Sequence, residues 1–342
     1  MSSKKRHRRP RGATSRASAP AVGASVAAAE VQQPAATVEE LPPVGVAYPL
    51  TLRGPGFAWW RSLLGVATAI LLYLVVTSTV SSLVIGIGYL VQRPAQTAAE
   101  YAAAGYRFEL PAGMLAQNLA IAALTLVAWF VVTVVHHVRP RWLSSVQPGI
   151  RWRYLLLCLG AAALLLNVVA LLPNLLSDQS VAVRPQPQLL GFLVVIIVTS
   201  PLQAAAEEYL FRGYLLQALG SLVSNPWFGV AVSATLFAYL HGGQNLPLFL
   251  NRLAFGLLAA VLVLKTGGLE AGIAAHIVNN VSAYTIASLT SSIATLRAVD
   301  KISWLDSGLN ILGFALFTLT AIWLGRRLRL NTTTPAIVKD TP

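Results

Sequence analysis

The strongest constraint on this chain is a recurring absence of charge. Between Arg61 and Arg93 no residue is ionisable as an acid or base except Tyr73 and Tyr89, and comparable apolar runs recur as far as Arg326. A soluble fold has no interior large enough to hide one such run after another. A bilayer does, because about 20 apolar helical residues cross its hydrocarbon. Eight runs can be drawn, near 62–91, 112–136, 153–173, 189–215, 227–241, 247–265, 269–290 and 308–325. The expected fold class is therefore all-α, a polytopic membrane helix bundle of about eight transmembrane helices. Composition agrees: 11% of the 342 residues are charged, against roughly a quarter in soluble domains.

A net charge of +13 raises nucleic acid as a partner, but its distribution points elsewhere. Seven of the 25 Lys and Arg fall in the first 16 residues, and most others stand at the ends of apolar runs. That is how membrane orientation is encoded, and no specific nucleic-acid partner is expected. Placing the N-terminal tail inside puts 19 Lys and Arg in inside loops, Arg212 among them, and five outside, with Arg252 unassigned. The expectation is a multi-pass protein of the cell membrane with both termini cytoplasmic. Residues 1–50, basic and rich in Ala and Pro, read as a disordered tail. Residues 51–188 read as N-terminal spans, 189–290 as the functional core, and 291–342 as a last span with a short tail. "PNLLSDQSVAVRPQP" separates the third and fourth runs as a loop. The lone Cys158 can form no intrachain disulfide.

Against this background a few polar residues stand out. Glu207, Glu208, Arg212, His241 and His276 fall within or against the runs, together with Glu270 and Arg252 near their ends. A charge at mid-membrane costs at least about 2.5–3.5 kcal/mol on insertion scales, so each needs a partner or a role. His136 and His137 end a helix on the inside, where the helix dipole suffices to explain them. Glu208 and Arg212 stand at i and i+4 in the order that favours an ion pair. Glu207 is turned about 100° from Glu208 and can face another surface. If the chain reverses at Ser224, Glu207 and His241 lie 17 residues to either side of it and reach one depth. His276 and Asn280 form an i, i+4 stripe on the small-residue helix "AGIAAHIVNNVSA". Phe237 stands one turn before His241, where packing explains it better than reaction. Pro201 removes a backbone hydrogen bond and can kink the helix before Glu207.

A carboxylate, two imidazoles and a carboxamide can together activate water and stabilise an oxyanion. Glu207 would serve as general base and then acid, His241 would orient the water, and His276 and Asn280 would donate to the oxyanion. A divalent metal such as zinc held by Glu207, His241 and His276 is the alternative. No HExxH element is present, so water activated directly by glutamate is favoured. The four aspartates, Asp178, Asp300, Asp306 and Asp340, lie outside the runs, which excludes a diaspartyl site. No Gly-x-Ser-Gly element with a matched histidine appears, which argues against an intramembrane serine protease.

"EEYLFR", "FAYLH" and "HIVNN" resemble, in order and spacing, the motifs of the CPBP family, over roughly residues 190–290. That family groups type II CAAX prenyl endopeptidases with bacteriocin-processing and Abi proteins. The resemblance implies an eight-helix intramembrane endopeptidase or metalloprotease whose polar cavity opens to the cytoplasm. Carried over, Glu207 activates water with His241, His276 and Asn280 form the oxyanion site, and Glu208 and Arg212 support. The expected partners are the lipid bilayer and a membrane-associated, lipidated or unmodified, peptide or protein substrate. Two other readings are a noncatalytic scaffold or immunity protein on the same fold, and a proton-relaying transporter. The second is weakened by the lack of an internal repeat.

Overall fold

A computed structural model describes residues 41–176 and 182–336, and all regular structure in them is helical apart from two isolated bridges. In chain order the helices are α1 (Trp59–Gln92), α2 (Ala98–Tyr106), α3 (Pro111–Ala122), α4 (Leu124–Val134) and α5 (Arg141–Ser144). There follow α6 (Trp152–Leu176), α7 (Leu189–Glu208), α8 (Leu216–Val223), α9 (Pro226–Tyr239) and α10 (Leu246–Thr266). The last are α11 (Glu270–Thr290), α12 (Ile293–Arg297) and α13 (Trp304–Arg327). Between α7 and α8 the helix continues with wider, π-type turns over Tyr209–Leu215.

Each expected run is found as a helix, yet among the described residues six helical segments are long and apolar enough to cross a membrane by length and composition. These are α1, α3 with α4, α6, the continuous run Leu189–Val223, α10 and α13. The count of eight is therefore not confirmed. Helix α9 has 14 residues, or about 21 Å of rise, too short to cross. Helix α11 has 21 residues, but Glu270, His276, Asn279 and Asn280 lower its hydropathy. Both short and polar helices are tolerated because their neighbours enclose them. Helix α10 packs against α9, and α11 packs against α6 and α7. Helix α6 therefore belongs to the same packed body as the core, across the boundary expected at 188.

Local chemistry explains where these helices begin and end. Asn225 caps α9 by accepting from the Trp227 amide, with Pro226 at the first helical position. Asn245 caps α10 in the same way. Gly267, at φ 71°, closes α10 in the left-handed conformation that "KTGG" supplies. Apolar side chains such as Leu71, Leu83 and Ile87 on α1 remain exposed on the outside of the bundle, as suits a surface that meets lipid.

The described body has two ends. At one, residues 45–47 pair with 333–334, the Tyr48 hydroxyl donates to the Leu143 carbonyl, and Val146 N–H donates to Gly267 O. Tyr48 is fully buried. The tail expected to be disordered to residue 50 is thus packed from Leu41 onward, because Tyr48 and Pro49 fill a core site. Residues 1–40 lie outside the described residues, as do 177–181 of the loop expected after α6 and 337–342 of the short C-terminal tail. At the other end, Asn245 N–H donates to Asp300 O, and Arg184 N–H donates to Leu289 O.

Candidate active site

Helices α7 and α11 bring the polar residues together midway between these ends. Their packing is fixed from both sides. Asn118 on α3 donates to Thr199 and Ser200 on α7, at 2.9 and 3.1 Å, while small residues on α11 allow close approach. Gly272 is the decisive one: a Cβ there would stand 2.9 Å from Glu208 Oε2. A bare backbone at 272 is what lets the Glu208 carboxylate lie against α11.

Six side chains then form one connected chain of contacts. Asn280 Nδ2 donates to Gln203 Oε1 at 2.9 Å, and Gln203 Nε2 donates to Glu207 Oε1 at 2.6 Å. Glu207 Oε2 faces His276 Nε2 at 3.4 Å. His276 Nδ1 donates to Glu208 Oε1 at 2.8 Å, which also accepts from Arg212 Nη1 at 3.0 Å. Glu208 and Arg212 are fully buried, and Glu207 and His276 nearly so. The Arg212 guanidinium lies 4.0 Å from the centre of the Phe237 ring and 5.3 Å from that of Phe255. Those faces compensate in part for its Nε and Nη2, which have no hydrogen-bond partner.

This geometry changes the division between the two glutamates. Glu208 does pair with Arg212, but His276 also joins it to Glu207, so the acids are two ends of one imidazole. Arg212, counted above with the inside loops, is instead enclosed in this cluster. Its charge balance is informative. Two carboxylates against one guanidinium leave one negative charge, and burial favours a neutral group. With Nδ1–H committed to Glu208, His276 Nε2 and Glu207 Oε2 are left facing each other across the remaining gap.

Glu207, His276, Asn280 and His241 all line one cavity of about 490 Å³. His241 follows the end of α9, and its Nδ1 donates to the Phe237 carbonyl at 2.7 Å. In the neutral ring that leaves the Nε2 lone pair as an acceptor. Phe237 packs between His241 and His276, with ring centres 4.5 and 6.0 Å away. Asn280 uses one amide N–H on Gln203 and retains a second. Arg252, on α10, donates to the His241 carbonyl and to Gln244 Oε1 at 3.3 and 2.7 Å, bracing the loop that carries His241.

Two points bear on the reading of the sequence. First, a metal held by Glu207, His241 and His276 would need their donors to converge. Among the described residues no three His, Cys, Asp or Glu side chains are so placed. Both nitrogens of His276 face carboxylates, so the residues present do not fit such a metal. Second, the exposed residues that line the cavity are Leu240, His241, Gly243, Asn279, Arg297, Ala298, Val299 and Asp300. Asn279 lies within α11, and the others belong to the end of the bundle remote from the described termini. A cavity opening to the cytoplasm and termini lying in the cytoplasm therefore cannot both hold.

Gln203 was missed in the sequence, although its signal was available: it precedes Glu207 by four residues, the spacing that links Glu208 to Arg212. Glu270 takes no part in the cluster. It accepts from Arg151 Nε and Nη2 at 2.8 and 2.6 Å and from the Arg151 amide at 3.0 Å, at the end bearing the termini. His136 is also not a helix-end cation. It is buried against the Tyr214 hydroxyl at 3.2 Å, and burial pushes it down to about 4, with Arg61 and His137 adding to the effect.

Comparison with known proteins places a name beside this geometry. The chain is 31% identical over 137 residues to uncharacterized protein YyaK of Bacillus subtilis (strain 168), which covers 38% of this chain and 46% of that protein. The match thus spans less than half the length of the relative. No solved structure matches. Residues 189–282 match the model of the type II CAAX prenyl endopeptidase Rce1-like family, which supports a CAAX-type intramembrane protease fold. Every side chain of the cluster, from Gln203 to Asn280, falls inside this Rce1-like segment of the chain.

Proposed function

We propose that this protein is an intramembrane endopeptidase that hydrolyses a peptide bond in a membrane-associated protein or peptide. The observation that supports it most is the buried pair of carboxylates joined through His276 at the base of a cavity. This reading requires one proton shared between His276 Nε2 and Glu207 Oε2. When it resides on the imidazole, Glu207 is a carboxylate able to take a proton from water, and His241 Nε2 can accept that water's second hydrogen. The hydroxide attacks the peptide carbonyl carbon. Asn280, through its second N–H, and the protonated His276 stabilise the oxyanion. Glu207 then delivers its acquired proton to the departing amine. Glu208 and Arg212 hold His276 in the ring orientation and tautomer that this requires, and Phe237 walls the site.

Substrate capture tests this reading. Membrane peptides are compared in cells carrying the wild type and Glu207→Gln, a change that preserves shape and the hydrogen bond from Gln203. At least one membrane peptide is expected to accumulate uncut in the variant, and its purified form to be cleaved by the wild type alone. Identical peptide profiles, with both proteins present in equal amount, would refute hydrolysis and leave the noncatalytic scaffold.

A further inference from the structure

We infer that the cavity is entered from the non-cytoplasmic face of the membrane, and that its substrate is a peptide segment already displayed on that face. The inference rests on the hydrolase reading for the word substrate, but not for the side of entry. Two independent observations carry it.

The first is charge. The end that brings residues 45–47 to 333–334 carries ten Lys and Arg among the described residues: Arg53 and Arg61, Arg139, Arg141, Arg151 and Arg153, Lys265, and Arg326, Arg327 and Arg329. The opposite end carries Arg93, Arg107, Arg184, Arg297 and Lys301, or six with Arg252. Enclosing Arg212 in the cluster removes it from the count without altering the imbalance. Seven further Lys and Arg precede the first end in the chain. Short loops rich in Lys and Arg stay in the cytoplasm, which places the terminal end inside.

The second is the position of the opening. The cavity descends from an exposed rim of Gly243 and Arg297–Asp300, past Tyr284 and Arg252, to His276 and Glu207. No residue of the loops at the terminal end lines the cavity. Arg151 and Glu270 clasp α11 to the start of α6, and Gly268 sits so tightly that a Cβ there would meet both side chains at 2.4 Å. Neither side chain of that clasp lines the cavity. A lipidated protein held on the inner leaflet would stand on the wrong side, whereas an exported or surface-anchored chain would meet the rim.

Cysteine labelling decides the matter without needing a known substrate. Cys158 is the sole cysteine and is buried, so Cys158→Ser gives a silent background. Into it are placed Gly243→Cys and Ala298→Cys at the rim, and Thr332→Cys at the terminal end, all at exposed positions. Sealed right-side-out and inverted vesicles are treated with a membrane-impermeant maleimide. The two rim cysteines should label at least tenfold faster in right-side-out vesicles, and Thr332→Cys in inverted ones. The opposite pattern, or rim cysteines that label equally from both sides, would overturn the inference. Labelling reports topology whether or not the protein cleaves anything. The expected pattern combined with identical peptide profiles for Glu207→Gln would retain the side of entry and discard hydrolysis.

Discussion

Two arginine–glutamate pairs are buried among the described residues, and they are built differently. At the terminal end, Glu270 takes three hydrogen bonds from Arg151, whose remaining Nη1 donates to the Thr266 carbonyl at 2.7 Å. That pair is closed on itself. In the cluster, Arg212 gives Glu208 one hydrogen bond, Arg212 Nε and Nη2 and Glu208 Oε2 find none, and the carboxylate is shared with an imidazole. A closed pair fixes two helices. An open pair adjoining a cavity holds charge ready for a proton to move, and buried groups left unsatisfied in a native fold call for such an explanation.

The largest effect should separate the two directly. Glu207→Gln should lower turnover of a captured substrate by about 10²–10⁴-fold while the thermal midpoint of the purified protein stays close to the wild type. A variant that keeps full turnover would dissolve the contrast. Next come the partners themselves. Removing either arginine, as Arg212→Gln or Arg151→Gln, leaves a buried carboxylate unpaired and should destabilise by roughly 3–5 kcal/mol, read as lost folded yield. Removing both charges distinguishes them. Glu270→Gln with Arg151→Met should recover stability and retain activity; Glu208→Gln with Arg212→Met should recover stability and remain inactive.

A pH test concerns His136, which lies outside the spans. Its folded value, about 4, is depressed below the ordinary 6.5. Below 6.5 the unfolded chain therefore binds a proton that the native protein refuses. Stability is full above pH 6.5 and falls as the pH drops toward 4, by roughly 3 kcal/mol in all. His136→Gln should flatten that part of a thermal-midpoint profile, and an unchanged slope would assign it to other groups. The smallest effect is expected at Gly272→Ala. The added methyl pushes on Glu208 Oε2, and turnover should fall by roughly tenfold with at most about 1–3 kcal/mol of strain. Turnover unaltered by this change would show that Glu208 need not be held where it is.

The candidate site was legible in part because helical spacing is a local property. The i, i+4 relation of Glu208 to Arg212 and the common depth of Glu207 and His241 follow from rise and period alone. What spacing could not show is which nitrogen of His276 meets which acid, since that depends on how α11 rolls against α7. The same roll recruits Gln203 and withholds His241 from a metal-like set. Helix count fared similarly: apolar runs mark helices, but whether a polar α11 or a 14-residue α9 is accommodated depends on neighbours that enclose it.

By itself, then, the sequence determined a helical membrane bundle, its charge asymmetry and the short roster of residues able to do chemistry. These are set by solvation, because a charge or an apolar run has nearly the same transfer energy wherever the helix ends up. Only the tertiary structure decided that one imidazole links both glutamates, that Glu270 pairs with Arg151 at one end, and that most of the cavity's exposed lining lies toward the other. Those outcomes depend on packing, where an absent Cβ at Gly272 or Gly268 determines which carboxylate can approach which helix.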